Sequence, residues 1–231
     1  MINPEKILED MLKKINVIDG ADIPSIDLYM DQVTTFMDRH LSGNKRFDDD
    51  KILTKTMINN YSKNNLLPPP IKKKYSREHI ILLILIYYYK NILSINDINT
   101  ILSPLCDMYF NQDSSVSLDE IYDISCEIQD SLKDKIKNDI LDKINDSEES
   151  FSDLPKKDKN FLQLYYLITS LSFDVYIKKQ MIEGIIDQIN EQNEIANARE
   201  IKRAKEKKEK EKREKSLKAD LDKDKKKNES N

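Results

Sequence analysis

The sequence predicts a mainly α-helical fold with one small β-wing, and three observations carry that prediction. Composition is the first. Gly occurs only 3 times and Val is rare, while Ile, Lys, Asn and Asp dominate, a palette that favours helix over sheet. Periodicity is the second: apolar residues recur at three- and four-residue steps along most of the chain, in runs opened by Ser or Thr. The third is "NNLLPPPIKKKY", residues 64–75, where three of the chain's 7 prolines abut three lysines. Proline cannot continue a helix and pushes the residue before it into extended backbone. Residues 68–75 therefore read as a hairpin or a stiff loop set between helices.

The elements follow in chain order. Residues 4–15 carry Ile7, Leu8, Met11, Leu12 and Ile15 at helical spacing, and Gly20 and Pro24 then punctuate. Ser25 is the expected N-cap of a helix whose apolar face is Ile26, Tyr29, Val33, Phe36 and Met37, ending near Leu41. "LSGNKRFDDDK" is a loop. Thr54 caps a short helix running to about Asn64, with Met57, Ile58 and Tyr61 inward and Lys55, Thr56, Asn59, Asn60 and Lys63 on the remaining surface. Asn65 stands where that helix must stop, and Asn tolerates the left-handed conformation that ends helices.

Ser76 caps the next helix, 77 to about 92, which contains "IILLILIYYY". Ten residues cannot cross about 30 Å of hydrocarbon as a helix, so this run is a buried core helix and part of Tyr87–Tyr89 is core. Ser94 with Asp97, and Ser117 with Glu120, are capping boxes; the second opens a helix with apolar residues from Leu118 to Ile144. "NDSEESFSDLPKK" is a turn. Helical spacing resumes with Phe161, Leu164, Tyr165, Ile168, Leu171 and Val175. Ile182, Ile186, Ile189, Asn193 and Ala196 then alternate in steps of four and three, the seam of a coiled coil. From Arg199 the chain is nearly all charge and reads as a solvated helix fraying into disorder.

Charge is segregated along this order. Net charge is −4 overall, but the segments run −5 over 1–38, +7 over 39–90, −11 over 91–155 and +5 over 156–231. A basic segment between acidic ones marks a surface that faces a polyanion. The start, "MINPEKILEDMLKK", is charged throughout and reads as no signal peptide, so a cytoplasmic protein with no membrane partner is expected. Cys106 and Cys126 form no Cys-x-x-Cys pair and are not spaced with His40 and His79 as ligands, so no metal or cofactor is expected. Neither phosphate-cradling glycine motif occurs and neither His falls in a nucleophile–base pattern; the expectation is a protein that is not an enzyme.

Helix, short helix, extended basic excursion and long apolar helix make the layout of a winged helix-turn-helix. "MINNYSKNNLLPPP", "IKKKYSREHI" and "NILSINDINTIL" go further: over about 52–103 the chain resembles the DNA-binding domain of MerR-type transcription regulators. Tyr61, Leu66, Leu67, Pro68, Pro69, Tyr75, Ser76, Ile80, Ser94, Ile95 and Ile98 carry the match. Asn65 replaces the usual Gly, Asn59-Asn60 an Arg-Tyr pair, and Ser62 an acidic residue. With the first helix included, the stretch is similar to a narrower MerR-like group of Gram-positive bacteria, catalogued largely as a domain of unknown function.

The resemblance implies a sequence-specific regulator of transcription that binds double-stranded DNA as a homodimer with a coiled-coil contact. Its domains would be an N-terminal helix (1–21), a MerR-like winged helix-turn-helix (22–103), an acidic helical region for dimerisation or an effector (104–198) and a charged tail (199–231). Thr54, Lys55, Thr56, Asn59, Asn60 and Lys63 are the candidate base-reading and groove residues: Asn suits adenine, Lys guanine, and a Thr methyl thymine. Lys72, Lys73 and Lys74 in the wing are candidate phosphate contacts. A helical adaptor that keeps the fold without DNA binding is the alternative, favoured by the −11 segment, and binding of RNA or single strands through the Tyr-rich helix is a third reading.

Overall fold

The computed structural model describes residues 2–15, 17–112 and 114–228, excepting the side chains of residue 157 and of 203–228. The chain divides into two units, Met1–Glu183 and Gly184–Asn231. Seven α-helices are seen among the described residues: α1 (Pro4–Lys14), α2 (Met30–Leu41), α3 (Lys55–Lys63), α4 (Arg77–Tyr89), α5 (Ile95–Tyr109), α6 (Leu118–Glu149) and α7 (Lys156–Asn228). Two short strands, β1 (Leu28–Tyr29) and β2 (Lys74–Tyr75), pair antiparallel with Leu28 opposite Tyr75 and Tyr29 opposite Lys74. The fold is mainly helical, as the sequence predicts.

The core of the first unit is built round α4. A helix that is apolar on every face must be covered on every face, and all residues from His79 to Tyr87 are buried. No helix among the described residues is long and apolar enough to cross a membrane. Ser76 and His79 form a capping box at the α4 N-terminus. Both ends of α4 are tied to distant chain. The Arg77 guanidinium donates to the Gly20 carbonyl at 2.8 Å, to the Ile23 carbonyl and to the Asp119 carboxylate. At the other end the Lys90 ammonium donates to the Ile52 carbonyl at 2.7 Å and lies 5.0 Å from the centre of the Tyr87 ring. The Tyr122 hydroxyl, from α6, donates to the Ile18 carbonyl at 2.6 Å.

Thr54, Ser94 and Ser117 each accept the amide expected of an N-cap. Ser25 does not. The helix begins at Met30, capped by Tyr29 with Gln32. The reason lies in long-range pairing: Leu28 is buried and the backbone of 28–29 is taken up by β2, leaving Ile26 68% exposed. The sequence marks no end for α5, whereas α6 and α7 take in residues expected to be a turn. α5 continues through Pro104 to Tyr109, α6 absorbs "NDSEE", and α7 starts at Lys156. The charged tail expected to fray from Arg199 is helical as far as Asn228, and residues 229–231 lie outside the described residues.

Candidate functional site

α3 is short and strongly two-sided. Ile58 and Tyr61 are buried and Met57 is half-buried, whereas Lys55, Thr56, Asn59, Asn60 and Lys63 are exposed. At 3.6 residues per turn those five fall within one arc of about 140°. Five of the six candidates on this helix therefore share one open face. The sixth, Thr54, is half-buried and spends its hydroxyl oxygen on the Met57 amide, 3.2 Å away. It positions the helix end.

The helix stops as the sequence predicts. Asn65 sits at φ 56°, in the left-handed region, and the Leu66 and Leu67 amides turn back to the Tyr61 carbonyl at 2.9 and 3.3 Å. Leu66 and Leu67 are each 1% exposed, so they anchor the exit before the prolines.

Residues 71–74, in the stretch expected to form a wing, make a tight hairpin. Ile71 and Lys74 exchange backbone hydrogen bonds of 3.1 and 2.9 Å, leaving Lys72 and Lys73 as the two central residues of the turn. Their φ angles are 50° and 66°. A two-residue turn with both central φ values positive is type I′, the geometry for which Asn-Gly is the comfortable sequence. Lysine there is strained, at about 1 kcal/mol or more per residue. Both lysines are exposed at the tip. Lys74 differs: it is half-buried in β2, with its ammonium 5.4 Å from the centre of the Tyr29 ring.

α3 and the hairpin meet at the first turn of α2. Tyr29 lies against Lys74, and two residues on, Asp31 forms an ion pair with Lys55 at the start of α3. Both side chains of the Lys55–Asp31 pair are more than 60% exposed, so the pair is weak. Sequence reasoning overlooks Tyr29 and Asp31. Their role comes from tertiary placement, and the only local hint is an aromatic next to acids at a helix start.

His79 links β2 to the core. The Ser76 amide donates to its Nδ1 at 3.0 Å, the Ser76 hydroxyl lies 2.8 Å from the same nitrogen, and the ring packs edge-on to Tyr75 and Phe110. An amide can donate only to a lone pair, so the ring proton belongs on Nε2. Burial holds the pKa of His79 below its ordinary value, against the Pro69 and Pro68 carbonyls and the Asp27 carboxylate, which pull it up. Tyr87 is buried and Tyr88 and Tyr89 are half-buried, so the Tyr-rich turn offers no open stacking face. Among the described residues no cluster of His, Cys, Asp and Glu is arranged to hold a metal.

Residues 18–125 match the family model of a domain of unknown function (DUF1836). That description names neither DNA binding nor the MerR type. The matched span has a physical boundary: it opens at Ile18, whose carbonyl accepts from Tyr122, three residues before its end. No curated protein and no solved structure matches the chain.

Proposed function

We propose that this protein is a MerR-like winged helix-turn-helix regulator that binds double-stranded DNA, with α3 in the major groove and the wing tip on the phosphates. The observation that carries the reading is the wing turn. Two adjacent lysines occupy left-handed backbone where Asn-Gly would sit without strain, and a sequence that departs from the easy choice at an exposed tip points to a role for the side chains. The α3 arc supports it, since Lys55, Thr56, Asn59, Asn60 and Lys63 offer the donors, acceptors and methyl group that read base edges. The site binds duplex as two half-sites, one per copy of the chain.

The test exchanges strain for function. Lys72→Asn with Lys73→Gly should raise the melting temperature, because the turn relaxes. The same variant should weaken binding to all duplexes and make the salt dependence shallower by about two, at about 0.9 for each phosphate no longer neutralised. Affinity and salt slope unchanged from the wild type would remove the wing from the interface. A wild type without salt-dependent affinity for genomic duplex would leave the adaptor reading.

A further inference from the structure

α1 packs against α6 and leaves a groove of about 460 Å³ beside the contact. Its walls are apolar: Met11, Leu12, Ile15 and Val17 on the N-terminal side, Leu132 and Ile136 on α6. Met11, Ile15, Leu132 and Ile136 remain 39%, 46%, 41% and 47% exposed, so the chain does not fill the groove itself. All six wall residues lie outside residues 18–125, so the groove is built by chain beyond the family-matched domain. Its two ends differ in charge. At one end the Tyr122 hydroxyl and the Cys126 thiol both donate to the Ile18 carbonyl, at 2.6 and 3.7 Å, and Asp19 and Asp130 border the opening. The other end lies about 16 Å further along α6 at 1.5 Å per residue. There the groove runs into a second hollow, which shares Leu12, Ile15 and Lys133 and adds Lys13 and Lys137. Glu9 and Asp134 also line that hollow, yet none of the three lysines forms an ion pair with a described residue. Residues 91–155 hold only four basic side chains. Three cluster at Lys133, Lys135 and Lys137, and the fourth, Lys143, is paired with Asp139.

We infer that this groove binds an amphipathic carboxylate of the fatty-acid class, with its acyl chain along Met11, Ile15, Leu132 and Ile136 and its carboxylate on Lys13, Lys133 and Lys137. Charge selects both the class and the direction. A carboxylate among the three lysines gains charge-assisted hydrogen bonds, whereas at the far end Asp19 and Asp130 repel it. A cationic head turned to the acidic end finds Asp19 already accepting from the Ala21 amide at 2.8 Å. Shape selects the chain. The groove has the volume of a small-molecule site, and its narrow length suits an unbranched chain. The lysine stems are themselves apolar and carry the walls on to the head group. A phosphate polyanion would meet Glu9 and Asp134 beside the lysines and would leave the apolar walls uncovered. The groove shares no residue with α3 or the hairpin, and its occupancy needs no DNA.

Calorimetric titration of the full chain with decanoate, below its micelle concentration and without nucleic acid, tests the inference. One saturable site is expected. Octanoate should bind about tenfold more weakly, because it buries two methylenes fewer and each contributes about three- to fourfold. Decyltrimethylammonium has the same chain and the opposite charge, and should bind weaker than decanoate by about tenfold or more. Lys133→Glu with Lys137→Glu should weaken decanoate by about tenfold or more and strengthen the ammonium. Ile136→Asp should weaken decanoate as well. All three positions are exposed, so the melting temperature of each variant should match the wild type. A wild type that shows no saturable heat with decanoate overturns the proposal. Equal affinities for decanoate and decyltrimethylammonium refute the charged end of the site, and an affinity independent of chain length refutes the acyl groove. Variants that bind decanoate as tightly as the wild type place the ligand elsewhere and refute the assignment.

Discussion

α4 and the first-unit part of α7 draw their apolar residues chiefly from Ile, Leu and Tyr, and those residues end in opposite states. α4 is buried continuously from His79 to Tyr87, while α7 leaves Phe161, Tyr165, Ile168, Val175 and Tyr176 more than half exposed. Apolar content alone does not decide which residues are core. α4 is apolar all round and short, so its neighbours can enclose it. α7 spreads its apolar residues over several faces of a long helix, and most of them, Phe173 and Met181 included, stay exposed in the single chain.

The sharpest way to break this contrast is a matched pair of truncations. Ile84→Ala, in α4, should cost about 2–5 kcal/mol of unfolding free energy, because Ile84 is fully enclosed. Ile168→Ala, in α7, should change the stability of the single chain by no more than about 0.5 kcal/mol. Denaturant melts at a concentration that keeps the chain monomeric compare the two directly. Equal losses would mean that Ile168 is part of the chain's own core.

A smaller effect tests whether α4 also organises the chain round its ends. Arg77→Lys keeps the charge but loses the planar fork that serves Gly20, Ile23 and Asp119 together. At least one part-buried carbonyl is then left without a donor, and the expected loss is about 1–3 kcal/mol. A variant as stable as the wild type would show that one ammonium can satisfy the site.

The smallest effect is a pH dependence. His79 is held neutral by burial, so its folded pKa lies below the unfolded value of about 6.5. The unfolded chain then binds the extra proton more readily. The His79 contribution is fully present above that unfolded value and is lost as pH falls through the lower folded one. His79→Gln keeps an acceptor for the Ser76 amide and cannot titrate. The stability gap between wild type and this variant should therefore narrow on acidification. A gap that is constant with pH would show that His79 does not titrate differently in the folded state.

Local chemistry is what the sequence made legible. The caps at Thr54, Ser94 and Ser117, the left-handed Asn65, the buried α4 and the outward face of α3 all follow from spacing within a few residues. What was hidden depends on distant partners. Leu28 and Tyr29 look like a helix start until β2, more than forty residues away, pairs with them. The three wing lysines read as one group, and only the turn geometry separates the exposed tip, Lys72-Lys73, from Lys74 beside Tyr29. Asp31 and Tyr29, which bring α3 and the hairpin together, offer only an aromatic beside acids at a helix start.

The bond from the Tyr122 hydroxyl to the Ile18 carbonyl also sets an order of events during synthesis. Its two ends lie 104 residues apart. At translation rates of about 5–20 residues per second, the segment round Ile18 is made about 5–20 s before the tyrosine that closes on it. Arg77 can hold the Gly20 and Ile23 carbonyls in the interval, but the Asp119 that completes its set arrives only with α6. The N-terminal segment is thus among the first parts translated and among the last to settle, and a chain stopped between α5 and α6 would lack the Asp119 and Tyr122 contacts that complete it.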